Sequence, residues 1–188
     1  TVGATDLQDT TGTIAFEGVT TITGNLMTAE EGYGLSFTGD TTDVQGAMPT
    51  SIDNTGALVL GDDGDVLTFD SGLDASMGSS PSSTVVDGTV RTAGNSLLLK
   101  AVTLAGDSVL DTTNAGNVAA GAAIATGTLA GDGNALSLNA GTGGVIDVNA
   151  FTDLSDLALV DAASASFAAD SDATRVDLNL STDGSIVF

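Results

Sequence analysis

Short runs of alternating apolar and polar residues, each cut off by Gly, Asp, Asn, Ser or Thr, recur along the whole chain every ~8–12 residues, the spacing of an all-β protein. Successive side chains of a strand point to opposite faces, so each run offers one apolar face to a core. TIAFEGV (13–19), TTITGNLM (20–27), GLSFTGD (34–40), ALVLGDDGDVLTFD (57–70) and STVVDGTVRT (83–92) read this way. So do SLLLKAVTLAGDSVLD (96–111), AIATGTLAGDGNALSLNA (123–140), GVIDVNAF (144–151), TRVDLNLS (174–181) and SIVF (185–188). Only 153–169 admits a helical reading, with Leu154, Leu157 and Val160 at helical spacing, and the same stretch holds the alternating SASFAAD. Loop composition gathers at 77–84 (MGSSPSST) and around Pro49.

A loose template repeats: Gly, two variable residues, then apolar, any, apolar. It fits Gly32–Phe37 (GYGLSF), Gly64–Phe69 (GDVLTF), Gly94–Leu99 (GNSLLL) and Gly133–Leu138 (GNALSL). Glycine supplies a corner with positive φ, and a unit this small buries its apolar face only by stacking on neighbours. The expectation is an all-β fold, a parallel β-helix (β-solenoid), with a β-sandwich or jelly roll as the alternative. Coils of ~20–25 residues would give eight or nine turns, a rod on the order of 40 Å long at ~4.8 Å per strand. Aromatics make up only 4%. That tilts the choice toward the solenoid, whose narrow interior small residues would fill next to Val, Leu and Ile, because a sandwich has ~10 Å between sheets to fill. Residues 1–188 are read as one elongated domain.

Charge excludes several partners. Twenty-five acids face three basic residues, Arg91, Lys100 and Arg175, for a net charge of −22. Nucleic acid and anionic membranes need a basic footprint that is missing here. No run is long enough to be a membrane-spanning helix, and 4% aromatics cannot furnish the girdles of an outer-membrane barrel; no membrane insertion is expected. The acids are mostly Asp, a turn residue, so the charge should mark corners. With no Cys and no His, disulfides, thiolate or imidazole metal sites and imidazole general bases are excluded. A glycosidase needs two carboxylates, but with no Trp and one Tyr, Tyr33, the chain lacks a sugar platform. No catalytic residue is expected. The first residue is Thr1, as in a processed, exported segment.

Residues 91–167 carry a family resemblance. The order AVTLAGDSVLDTT (101–113), a Gly- and Ala-rich spacer, then GNALSLNAGTGGVIDV (133–148) resembles the strand repeats of large bacterial exoproteins. These are the filamentous-haemagglutinin-like adhesins of two-partner secretion and the autotransporter passengers. The resemblance covers about 40% of the 188 residues. It implies a secreted, right-handed parallel β-helix acting outside the cell or at its surface. Members of that family are usually far longer, and their secretion-domain motif is absent from this sequence.

Two sets of residues are candidates for function. Asp62, Asp63 and Asp65 in GDDGDVL offer hard oxygen ligands of the kind calcium takes, and the segment partly resembles one calcium β-roll unit. Asp107, Asp132, Asp170 and Asp172 are lone turn acids whose simpler reading is an Asx-turn. For assembly, Val2 and Leu7 in 1–9, and Ile186, Val187 and Phe188 in 175–188, lie on terminal strands able to pair with another chain. Thr-x-Thr pairs at Thr11/Thr13, Thr21/Thr23 and Thr126/Thr128 lack the constant interval of an ice-binding array. The function expected is an extracellular structural subunit that polymerises with copies of itself into a filament, sheath or surface layer. The alternatives are an adhesin rod presenting the 77–84 loop to cell-surface glycans, and a calcium-dependent carbohydrate-binding module.

Overall fold

A computed structural model describes residues 1–8, 11–78, 81–168, 171–180 and 184–187. It is a β-solenoid of about eight turns with three flat faces. The first coil carries β1 (Thr5–Leu7), β2 (Thr13–Phe16) and β3 (Thr20–Ile22), one strand per face. The second repeats this with β4 (Leu26–Thr28), β5 (Gly34–Phe37) and β6 (Thr41–Val44), and the third with β7 (Thr50–Ser51), β8 (Ala57–Leu60) and β9 (Val66–Phe69). In the fourth, β10 (Leu73–Ala75) precedes β11 (Ser83–Thr92), which bends around the corner between the second and third faces. The fifth has β12 (Leu97–Leu99) and an equally bent β13 (Val102–Asp111). In the sixth, β14 (Ile124–Ala130) covers the first and second faces before β15 (Ala135–Asn139). The seventh coil has β16 (Val145–Thr152) and β17 (Asp156–Asp161), and the eighth β18 (Ser164–Phe167) and β19 (Val176–Leu178). β20 (Ser185–Val187) returns to the first face.

Among the described residues, apart from one isolated antiparallel bridge, Ala93–Thr113, every pairing is parallel and joins one coil to the next. This removes the sandwich and jelly-roll alternative, whose neighbouring strands are antiparallel. The helical reading of 153–169 is also overturned. The described part of that stretch holds β17 and β18, with a left-handed Asp153 at a corner. Leu157 and Leu159 alternate inward and stack on Leu136 and Leu138, so the period of two prevails over the helical spacing. The strand proposed for 20–27 is two strands on different faces, β3 and β4, split at Thr23-Gly24-Asn25.

Inward side chains stack in register along the axis. On the third face Leu67, Val90, Leu110, Leu138 and Leu159 form one ladder, all nearly inaccessible to solvent. On the first face Leu73, Leu97, Ile124, Ile146 and Ala165 form another. Each fully buried Leu or Ile contributes on the order of 1.5–3 kcal/mol. Leu, Ile and Val line the interior with a smaller share of small residues beside them. Leucine supplies 17 of the 35 buried apolar residues among those described, and alanine four. A three-sided cross-section is wide enough for Leu and Phe, and Thr42, Thr84, Thr126 and the four alanines take inward positions among them. Phe16 stacks on Phe37 with centroids 5.0 Å apart, and Phe37 meets Phe69 edge-on at 5.8 Å.

The corner between the second and third faces explains the Gly-Asp pattern. Successive coils place Glu17-Gly18, Gly39-Asp40, Gly61-Asp62, Asp87-Gly88, Gly106-Asp107 and Gly131-Asp132 there. The corner backbones stack so closely that a Cβ on Gly39 would collide with the Gly18 carbonyl, and one on Gly61 with that of Asp87. Glycine is therefore a packing requirement at this corner, and the neighbouring acids point their charge into solvent.

Candidate assembly surfaces and the acidic corner

The two ends of the stack differ from its middle. Of the apolar side chains that pack on the core without being fully buried, Ile14 and Phe16 lie in the first coil, and Ala173, Leu178, Leu180 and Ile186 in the last. In the coils between, the equivalent ladder positions are closed off by neighbours on both sides. Among the described residues, β1 and β2 have strand partners only toward the second coil, β3 is also bridged on its outer side by Val2, and β19 and β20 pair only toward the coils before them.

The sequence-nominated assembly residues fall on these ends. Val2 is half exposed and bridges to Ile22. Leu7 points inward over Thr28, and its carbonyl accepts hydrogen bonds from the Ala29 amide (3.0 Å) and the Tyr33 hydroxyl (3.0 Å). Burial pushes the Tyr33 phenol above its ordinary range, and the charges of Asp53 and Asp6 push the same way. Ile186 turns inward over Ala165, whereas Val187 faces solvent over Ser166. Phe188 lies outside the described residues. Arg175 ties the last coils together on the outside, donating to Asp156 at 2.5 Å and Asp177 at 3.1 Å.

Asp62, Asp63 and Asp65 share the corner between β8 and β9, but they do not converge. The Asp62 amide donates to Asp65 Oδ2 (3.0 Å), and the Asp65 amide to the Asp62 carbonyl (3.2 Å). Asp63 holds the left-handed position, φ 50°. Asp65 is buried and turned back into its own turn, while Asp62 and Asp63 face solvent. The Asp62 carboxyl is held above the usual carboxylate range, first by hydrogen bonding with the Asp65 carboxyl. Desolvation and the charges of Asp65, Asp63 and Asp87 add to this. Among the described residues no group of three or more acidic side chains is arranged to hold a metal ion. Asp107 and Asp132 occupy the same corner in later coils, with the Asp107 carboxylate accepting from the Ala135 amide (2.8 Å). Asp172 lies beside the second-face end of β16, its amide donating to the Phe151 carbonyl (3.0 Å), and Asp170 lies outside the described residues.

The Thr-x-Thr residues scatter over the solenoid. Thr13 is on the second face and Thr21 on the third, while Thr126 points into the core. The 77–84 loop ends where β11 begins at Ser83, and Lys100 Nζ holds it by donating to the Gly78 carbonyl. No family model, curated protein or solved structure matches this chain.

Proposed function

We propose that the chain is an extracellular, non-catalytic structural subunit that grows by stacking the last coil of one copy on the first coil of the next. One observation carries this reading: the half-covered core residues are confined to the two end coils. A solenoid whose ends are not covered by polar caps leaves apolar ladders open, and an unpaired strand edge is a template for another strand. A first coil on a last coil is a heterologous contact that does not close, which generates a fibre. The likeness of 91–167 to bacterial exoprotein repeats agrees with an extracellular setting. A net charge of −22 opposes close approach of copies, so stacking is expected to strengthen with salt, as the Debye length shrinks from ~10 Å at 0.1 M to ~3 Å at 1 M.

Negative-stain microscopy of the pure chain at low and high salt tests the proposal. Unbranched filaments one solenoid wide are expected at high salt, and Phe16→Asp or Leu178→Asp should abolish them. Isolated short particles at every salt and protein concentration would remove the proposal.

A further inference from the structure

The first face carries a groove of about 580 Å³ over coils one to three. Its floor is Met27, which faces outward from β4 at 46% exposure. One wall is the corner segment 45–49, which brings Met48 (54% exposed) and Pro49 over the face. That wall is fixed from both sides. The Met48 amide donates to Asn25 Oδ1 of the preceding corner (3.3 Å), and Ser71 Oγ of the following corner donates to the Gly46 carbonyl (2.5 Å).

Asp6 and Asp53 both line this groove. Asp6 is opposite Met27 in the strand before, and Ser51, two residues ahead of Asp53, is opposite Met27 in the strand after. The two acids are thus two strand spacings apart, ~10 Å along the axis. Both are already oriented, because Asp6 accepts from Gln8 Nε2 (2.7 Å) and Asp53 from Ser51 Oγ (2.8 Å). None of the three basic residues of the chain lines the groove.

We infer that this groove binds small aliphatic diamines, with the methylene chain over Met27 and Met48 and one ammonium at each of Asp6 and Asp53. The chemistry selects this class. Thioethers offer an adaptable apolar surface, exposed apolar patches of this kind mark ligand contacts, and two carboxylates lining the groove favour a cation over an anion. Quaternary ammonium ions are recognised by aromatic cages, and no aromatic residue lines the groove. A primary ammonium also supplies three donors to carboxylates that keep acceptor capacity. Partly exposed ion pairs are weak, so the affinity should be on the order of 1 mM. The inference is independent of end-to-end stacking.

The three methionines make the test internal, because Met77 is exposed and outside the groove. The chain carrying ¹³C-methyl methionine is titrated with 1,5-diaminopentane in ~0.15 M salt and followed by NMR. The Met27 and Met48 methyl signals should move along one saturating curve while Met77 stays in place. Asp6→Asn with Asp53→Asn should weaken binding at least fivefold and leave the Met77 signal where it was. Pentan-1-ol should move neither groove methyl at the same concentration. Three methyls drifting together without saturation would mean a diffuse counter-ion cloud and overturn the inference. No movement, or an alcohol as effective as the diamine, would overturn it too.

Discussion

At Asp111 one carboxylate closes the longest corner of the solenoid. Oδ1 accepts from the Thr113 amide (2.7 Å) and hydroxyl (2.6 Å), and Oδ2 from the Ala115 amide (2.7 Å). Asn114 and Ala115 are held in the left-handed region by this turn. Asp111→Ala strands those donors in a largely buried site and should cost about 3 kcal/mol, with Asp111→Asn losing roughly half as much, read from urea unfolding. Thr42 and Thr84 show the opposite case. Each places a buried hydroxyl inward with no hydrogen-bond partner. Thr42→Val and Thr84→Val should each raise stability by about 1 kcal/mol. Unchanged or lower stability would mean that these hydroxyls are satisfied in solution. Titration adds a third expectation. Asp62 is raised as described above, and Asp70 is raised by desolvation and then by the charge of Asp43. Above the ordinary value of 3.8, the folded chain therefore holds more protons at these sites than the unfolded chain. Stability accordingly falls as pH rises through that window. The thermal midpoint should climb between pH 7 and about 4.5; a midpoint that falls on acidification contradicts this.

The strand and its corner form the unit in which the sequence is readable. Alternation marked nearly every strand, and Gly-Asp marked the corner between the second and third faces. The four-copy template did not mark coils. Its matches are strands β5 on the second face, β9 and β15 on the third, and β12 on the first. It recurs because many faces begin after a glycine-bearing corner, so it reports a third of a turn. The true coil length was hidden by corners of unequal size. Thr84 pairs with Val102, 18 residues on, whereas Ser108 pairs with Leu136, 28 on, across the 112–123 loop that Asp111 organises. The diamine groove was illegible for a related reason, because only the stack brings Met48 over Met27. Ladder position sets the cost of truncation. Leu67→Ala or Leu138→Ala, closed in on both sides, should cost ~2–5 kcal/mol. Leu178→Ala in the last coil, half-buried, should cost about 1 kcal/mol in the monomer.

Across the whole molecule, charge and apolar surface are segregated by position. The strands of the second face carry no acid; their outward positions are Thr, Ala, Ser, Val and Gly. Acids sit on the other two faces, as at Asp6, Asp43, Asp74, Asp147 and Asp177, and on the corners. The half-covered apolar residues lie in the end coils, so on the proposed reading the sides repel copies while the ends attract them. That arrangement favours growth in one dimension once salt screens the sides. The expected absence of strong binding to nucleic acid follows from the same map, since the three basic residues fall on separate coils. The most direct measurement of end-to-end growth is multi-angle light scattering of the pure chain over a concentration series in 1 M salt. The account expects a weight-average mass that climbs steadily from 18.3 kDa without settling at a dimer, and stays at the monomer value for Phe16→Asp. A wild-type mass fixed at one subunit across the series would contradict it.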